Sequence, residues 1–112
     1  MIGGFSQGGA VALSTLFRGN TDVAGCLALS TYMPGNKKPD LLDGAKIDTP
    51  IFQCHGEDDE VISFQRGKLT NDILNSLATN VTFKAMKGMG HENNLEEMEM
   101  VTKFMMDKFE FE

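Results

Sequence analysis

Short apolar runs alternate with segments of helical periodicity along most of the chain. Runs at 1–5, 23–30, 50–55 and 81–86 carry β-branched or aromatic residues and have the length of strands. Alternation of strand and helix patterns is typical of βαβ units, which form parallel sheets. We therefore predict an α/β fold in which helices pack on a mostly parallel sheet of about four strands.

The first two predicted helices each have a plausible start and stop. One begins around Gln7 to Gly9 and ends before the sequence Arg18-Gly19-Asn20. The other follows Ser63, which is a good N-cap residue, and has left the helical pattern by Asn80. Between the second and third strands, residues 31–49 are predicted to form a long loop, and a loop of that length is usually either functional or a mobile segment.

A third helix is predicted near the end of the chain, after His91. Asn93 or Asn94 can cap its first turn, because a side-chain oxygen there accepts from a free backbone N–H. Its apolar residues recur at three- and four-residue steps, and we expect this stripe to face the sheet: Leu95, Met98, Val101, Met105 and Phe109.

Composition and charge narrow the classes of function. The 112 residues suffice for one modest domain, and a net charge of −6 argues against a nucleic-acid partner. Cys26 and Cys54 lie inside apolar runs, where thiols usually behave as small hydrophobes, which favours a reducing compartment. The first residues lack the pattern of a signal peptide, and no apolar run reaches the length of a membrane span. We expect a cytoplasmic protein without stable membrane insertion.

The segment Gly4-Phe5-Ser6-Gln7-Gly8 matches the G-x-S-x-G pattern, with a strand before it and a helix after it. In that context a serine sits on a sharp turn with close neighbours on either side, so small residues are expected at both glycine positions. The Gln7 backbone N–H, at the helix N-terminus, would then stabilise an oxyanion. Taken alone, the pentapeptide could equally be a structural turn.

Two further residues fit the order in which hydrolases of this fold place their catalytic groups. The order is serine, acid, histidine, each in a loop after a strand, and Asp59 and His91 follow the third and fourth predicted strands. His91 would act as the base and Asp59 would orient it. Asp58 remains a rival for the acid. Two other interpretations stay open: the acidic cluster at 57–60 as a solvated turn, and His91 as a solvated or capping residue.

We expect neither a metal nor an organic cofactor. The two histidines are 36 positions apart and the cysteines are embedded in strands, which is not the spacing of a metal site. The glycines around Ser6 do not fit a nucleotide-binding loop. His55, at the end of a buried strand, is interpreted as a structural residue that orients the acid loop.

Four motifs follow one another along the chain: Gly4-Phe5-Ser6-Gln7-Gly8-Gly9, Ala24-Gly25-Cys26-Leu27-Ala28-Leu29-Ser30, Gln53-Cys54-His55-Gly56 and Gly88-Met89-Gly90-His91. In this order they resemble those of the acyl-protein thioesterases and the related lysophospholipases and carboxylesterases, which are α/β-hydrolases. By position, the resemblance implies Ser6 as nucleophile, Asp59 rather than Asp58 as acid, and His91 as base. Three departures from the family pattern, at Tyr32, Glu60 and Ser63, concern pocket shape and loop rigidity more than chemistry.

The resemblance implies cleavage of acyl thioesters or esters, from a lipidated protein or a lysophospholipid. It also implies that residues 1–112 are the carboxyl-terminal part of one truncated α/β-hydrolase domain, whose absent amino-terminal half would supply a second oxyanion donor. Three alternatives stay open: an impaired or inactive fragment, a hydrolase of small esters or lactones, and, for assembly, a homodimer. Without earlier strands, one sheet edge would be left open to pairing.

Overall fold

The computed structural model describes residues 1–18, 23–34 and 46–109. Seven elements lie within these ranges: β1 (Ile2–Phe5), α1 (Gln7–Phe17), β2 (Cys26–Leu29), β3 (Ile51–Gly56), α2 (Phe64–Leu77), β4 (Val81–Met86) and α3 (Leu95–Phe109). They alternate as predicted, so the α/β class is confirmed. No helix in the described ranges is long and apolar enough to cross a membrane.

The four strands form one parallel sheet in the order β1-β2-β3-β4. Cys26 of β2 lies opposite Ile2 of β1 on one side and Ile51 of β3 on the other, and Ile51 in turn lies opposite Val81 of β4. The strands therefore start level with one another. Because all four run the same way, the loops that follow them leave from a single edge of the sheet.

β2 is shorter than the predicted strand at 23–30. Pairing starts at Cys26, because the neighbouring strand begins only at Ile2, opposite it. At the other end Ser30 has a φ of 49°, which takes it out of the extended conformation. Most of the long loop predicted at 31–49, from 35 to 45, and the helix stop at Gly19 and Asn20 lie outside the described residues.

Helices cover both faces of the sheet. α1 and α2 bury their apolar residues, Leu13 and Leu74 among them, against one face in a core that includes Cys26 and Ile51. α3 packs Val101 on the other face, in a smaller cluster with Phe52. Each large apolar side chain that is fully buried in this way contributes roughly 1.5–3 kcal/mol. The predicted cap of α2 is confirmed, since Ser63 Oγ accepts from the N–H of Arg66 at 3.2 Å.

The stripe predicted to hold α3 against the sheet is wrong for three of its residues. Leu95 is 75% exposed, Met98 41% and Met105 36%, while Val101 is buried. The helix instead turns Glu97 and Val101 inward, with Phe104 partly buried beside them. α3 has apolar residues on more than one face. A sequence prediction that counts apolar residues does not select the face that is actually buried, because that face contains a glutamate. The predicted cap at Asn94 is confirmed, because its Oδ1 accepts from the Glu97 N–H at 2.8 Å.

Glu97 is fully buried in the first turn of α3. Neither carboxyl oxygen has a nitrogen or hydroxyl partner within the described ranges, and the group interacts with the Cys54 thiol of β3. Burial raises the pKa of the Glu97 carboxyl above its ordinary value of 4.5, against a smaller lowering by the Cys54 hydrogen bond. The folded state therefore favours the neutral acid at this position.

Compared with the unmodified chain, the Glu97→Gln variant should gain stability as the pH rises. A carboxyl whose folded pKa is raised contributes stability that is fully present below 4.5 and is lost as the pH rises through the folded value. Glutamine keeps the shape and cannot ionise. The difference in free energy of unfolding between Glu97→Gln and the unmodified chain, from urea denaturation, should therefore grow in favour of glutamine from about pH 4.5 to pH 8.

The exposed neighbour Glu99 provides the control. Glu99→Gln should leave a difference that changes little over the same range, because its side chain is already exposed. If the free energies of unfolding of Glu97→Gln and of the unmodified chain change in parallel with pH, the raised pKa of Glu97 is contradicted.

Candidate active site

Ser6 lies in the sharp turn between β1 and α1, in a conformation that only a constrained site holds. Its φ of 57° and ψ of −123° lie outside the regions that non-glycine residues normally adopt, at a cost of about 1–3 kcal/mol. Two contacts fix the residue. Its N–H donates to the Leu29 carbonyl at 2.9 Å, and the Thr31 hydroxyl donates to the Ser6 carbonyl. The turn is therefore held from β2 and from the loop that follows it.

The two glycines of the G-x-S-x-G motif differ in their surroundings. A Cβ on Gly4 would overlap the backbone of Gly8, so the sharp turn requires glycine at that position. A Cβ on Gly8 would meet nothing within 4 Å among the described residues. The expectation that both positions need small residues is thus wrong for Gly8, because α1 leads its outer side into open space. The following residue is the crowded one: a Cβ on Gly9 would lie 2.7 Å from the Thr31 side chain.

We expect the alanine variants of these two glycines to behave in opposite ways. Gly4→Ala should destabilise the chain by about 1–3 kcal/mol, because the added methyl group must displace backbone. Gly8→Ala, inside a helix with open space around it, should be neutral or stabilising by up to about 1 kcal/mol. Thermal and urea denaturation measure both. Equal destabilisation by the two variants would contradict the packing described here.

The acid loop follows β3 and places Asp59, not Asp58, at the centre of the site. The Asp59 side chain is fully buried, and its Oδ1 accepts from the N–H groups of Val61 and Ile62, each at 2.8 Å. Asp58 is exposed, and its backbone N–H donates to the Met89 carbonyl at 3.0 Å. That bond ties the acid loop to the loop after β4.

His91 lies in the loop after β4 and joins the other two residues. Its Nε2 is 2.9 Å from Ser6 Oγ, and its Nδ1 is 2.8 Å from Asp59 Oδ2. The ring packs on Phe5, with 4.7 Å between ring centroids, and its side chain is 17% exposed. Ser6, His91 and Asp59, from three separate loops, therefore form one continuous chain of hydrogen bonds.

The protons of this chain follow from its partners. A carboxylate only accepts hydrogen bonds, so Nδ1 of His91 carries the ring proton and Nε2 is free to accept from the Ser6 hydroxyl. Burial by itself would raise the pKa of Asp59, but the hydrogen bonds from His91 and from the backbone of Ile62 and Val61 outweigh it and lower the pKa below 3.8. Asp59 is therefore ionised at neutral pH.

Three contributors to the site were not singled out from the sequence. Gly56 has no room for a side chain, since a Cβ there would overlap the carbonyl of Met89, and this close approach brings the acid loop against the histidine loop. Thr31 fixes the Ser6 carbonyl, and Phe5 supports the His91 ring. Gly56 sits in the His-Gly motif quoted above, and that motif was the available signal. No local sequence pattern predicts the contacts of Thr31 with Ser6 and of Phe5 with His91, because both join residues that are far apart along the chain.

An open groove of about 410 Å³ lies beside the site and begins at Gln7. Apolar side chains, including Val11, Tyr32 and Pro34, share its wall with polar ones from α1. Arg66 stacks over the Tyr32 ring, 4.4 Å from its centroid. No cluster of three or more histidine, cysteine, aspartate or glutamate side chains suited to a metal ion occurs in the described ranges.

Replacing Asp59 by asparagine should destabilise the fold in a pH-dependent way. The ionised carboxyl takes hydrogen bonds from His91 and two backbone N–H groups, and bonds to charged groups are worth about 1.5–3 kcal/mol each. Because its folded pKa is lowered, this stability is present above 3.8 and is lost as the pH falls through the folded value. The deficit of Asp59→Asn should therefore shrink as urea denaturation is repeated toward about pH 3.

Asp58→Asn is the matched control, since the exposed side chain of the preceding residue makes no such contacts among the described residues. Its effect should stay within about 0.5 kcal/mol at every pH. A deficit for Asp59→Asn that is constant with pH would mean that the carboxylate is not the interacting form.

A serine on a strained strand-to-helix turn at the edge of a parallel sheet, followed along the chain by an acid and a histidine, defines the α/β-hydrolase class. The comparison with family models gives the finer assignment. Residues 1–108 match the phospholipase/carboxylesterase model, and the chain belongs to that family.

Curated relatives and solved structures agree with this assignment. Acyl-protein thioesterase 1 homolog 1 of Dictyostelium discoideum is 40% identical over 106 residues, which is 94% of this chain and 46% of that protein. Acyl-protein thioesterase 1 of Candida albicans is 40% identical over 114 residues, covering 94% of this chain and 48% of that protein. The chain thus spans about half the length of these relatives.

Among solved structures, Arabidopsis thaliana SOBER1 superposes with a TM-score of 0.81 at 26% identity, covering 97% of this chain and 52% of that one. Zea mays acyl-protein thioesterase 2 superposes with a TM-score of 0.73, also at 26% identity, covering 95% of this chain and 54% of that one. The sequence-based recognition of the family is confirmed.

Proposed function

We propose that this chain carries the catalytic residues of a serine hydrolase that cleaves acyl thioesters or esters. The observation that supports this most directly is the hydrogen-bonded chain Ser6 Oγ, His91 Nε2, His91 Nδ1, Asp59 Oδ2, with distances of 2.9 and 2.8 Å. Both lie within the range needed for proton transfer and orientation. The substrate class, a palmitoyl-type protein thioester or a lysophospholipid, follows from the names of relatives, which include acyl-protein thioesterases and a mouse lysophospholipase-like protein.

Each residue has a defined role in the mechanism, and His91 acts as base and then as acid. His91 Nε2 takes the Ser6 proton as Oγ attacks the acyl carbonyl carbon, and the Gln7 N–H, at the start of α1, donates to the developing oxyanion. Collapse of the tetrahedral intermediate breaks the bond to the thiol or alcohol, which leaves with the proton from His91. Water then attacks the acyl-enzyme by the same route and releases a fatty acid. Asp59 holds His91 in the required tautomer and stabilises its protonated form throughout.

The groove beside Gln7 is our candidate for the acyl chain. Its wall includes Gln7, the residue that follows the nucleophile, and the exposed side chain of Val11. Its wall combines apolar side chains, which an acyl chain would contact, with polar ones from α1, and ligand pockets commonly combine the two. A cytoplasmic location is likewise a proposal, and it rests on the family and the composition.

The competing proposal is an impaired or inactive chain. Two oxyanion donors are usual for acyl transfer, and the described residues offer the Gln7 N–H. Loss of one donor typically lowers turnover by about 10²–10³-fold. If the second donor expected from the resemblance lies outside this sequence, residues 1–112 would be part of one larger domain. On their own they would retain a reactive Ser6 but would turn over substrate slowly.

Labelling by a fluorophosphonate probe and ester hydrolysis together separate these proposals. We expect the chain to be labelled and Ser6→Ala not to be, because the probe bonds to an activated serine. Ser76→Ala, on α2 and outside both the groove and the site, is the control and should label normally. Turnover of p-nitrophenyl esters from acetate to palmitate should favour long chains and disappear in Ser6→Ala.

Each experimental outcome supports or excludes one of the proposals. Labelling without turnover supports the impaired chain, and a preference for acetate supports a small-ester hydrolase. If neither labelling nor turnover depends on Ser6, the hydrolase proposal fails. Size-exclusion chromatography of the same preparation tests the homodimer.

A further inference from the structure

His55, which the sequence predicts to orient the acid loop, lies directly behind the acid. It is fully buried near the end of β3. Its Nε2 is 2.7 Å from the Ile62 carbonyl oxygen and 3.5 Å from Asp59 Oδ2. Since both oxygens only accept, Nε2 carries the proton. Nδ1 has no hydrogen-bond partner among the described residues, so the ring is in the tautomer that donates toward the acid loop.

The ring is held in that orientation by α2. A Cβ on Gly67 would lie 2.6 Å from His55 Nδ1, so the helix backbone lies directly against the ring and leaves no room for it to turn. Phe64 meets it edge to face, with 6.2 Å between ring centroids. α2 is in turn joined to β3 by Gln53 Nε2, which donates to the Gly67 carbonyl at 2.8 Å. His55 is thus a fixed donor.

The backbone of Ile62 connects His55 to Asp59. Its carbonyl accepts from His55 Nε2, while its N–H donates to Asp59 Oδ1 at 2.8 Å. On the other side of the carboxylate, Oδ2 faces His91 Nδ1 at 2.8 Å and His55 Nε2 at 3.5 Å. The two histidines therefore approach the same oxygen, one at full hydrogen-bond distance and one as a weaker electrostatic partner.

We propose that His55 is a positioning residue for Asp59. It fixes the turn at Ile62 that holds one carboxylate oxygen and directs the other toward His91. Its catalytic consequence rests on the function proposed above, but the positioning itself concerns the orientation of the acid and can be observed without turnover. A misplaced acid would leave His91 free to rotate away from Ser6, and a displacement of about 1 Å can cost about 10²-fold in rate.

Glutamine and asparagine at position 55 provide a matched pair. The glutamine amide nitrogen can reach the position of Nε2 and donate to the Ile62 carbonyl, whereas the asparagine amide ends near the position of Nδ1. The structural readout is the low-field proton resonance of His91 Nδ1–H, assigned by its disappearance in His91→Gln. The functional readouts are kcat and KM for the preferred ester. Thermal unfolding checks that each variant is folded.

We expect His55→Gln to keep the resonance and to retain kcat within about tenfold. His55→Asn should lose or broaden the resonance and lower kcat by about 10–100-fold, with KM little changed, because substrate contacts are intact. Gly67→Ala, which pushes on the ring and leaves the donor in place, should give an intermediate loss and remains informative if His55→Asn does not fold. Leu69→Ala, on the exposed side of α2, is the control that should match the unmodified chain.

An unchanged resonance in both His55→Asn and Gly67→Ala would overturn the proposal, as would equal losses in His55→Gln and His55→Asn. So would absence of the resonance from the unmodified chain. If the resonance responds as expected while the unmodified chain shows no turnover, the positioning role stands and the proposed function fails.

Discussion

Parallel pairing in level register is the constraint on which the rest of the structure depends. Ser6, Asp59 and His91 are far apart along the chain, with 85 positions between the first and the last. They meet because β1, β3 and β4 end at the same edge and each delivers one loop there. Shifting any strand by one residue would turn its side chains to the opposite face and withdraw its loop. The apolar packing of both faces against helices therefore also sets the geometry of the site.

A second layer of contacts turns this coarse placement into hydrogen-bond distances. The acid and histidine loops are joined by backbone, through Asp58 and Met89 and through the close approach at Gly56. The serine turn is joined to β2 at Leu29. These are mostly main-chain contacts, which tolerate changes in exposed side chains.

Much of the fold was readable from the sequence because strand and helix patterns alternate cleanly. β4 matches its predicted bounds, and Ser63 and Asn94 cap their helices as expected. The orientation of α3 was not readable, since its inward face carries Glu97 and its exposed face carries Leu95, and apolar counting reverses the two. The open side of Gly8 and the crowded side of Gly4 also depend on which atoms lie opposite, which a local motif does not encode. The grouping of Ser6, Asp59 and His91 was anticipated from their order, whereas the distances between them required coordinates.

The two buried thiols bear on how the chain can be studied. Burial raises the pKa of Cys26 to about 12, and burial together with the neighbouring Glu97 also raises the pKa of the Cys54 thiol. Both are free and shielded by the sheet and its helices, so the reactive thiolate is scarce at neutral pH. Electrophiles such as maleimides should find them only when the core opens. The rate of alkylation is thus a built-in gauge of breathing in the folded state, and it reports from positions on either face of the sheet.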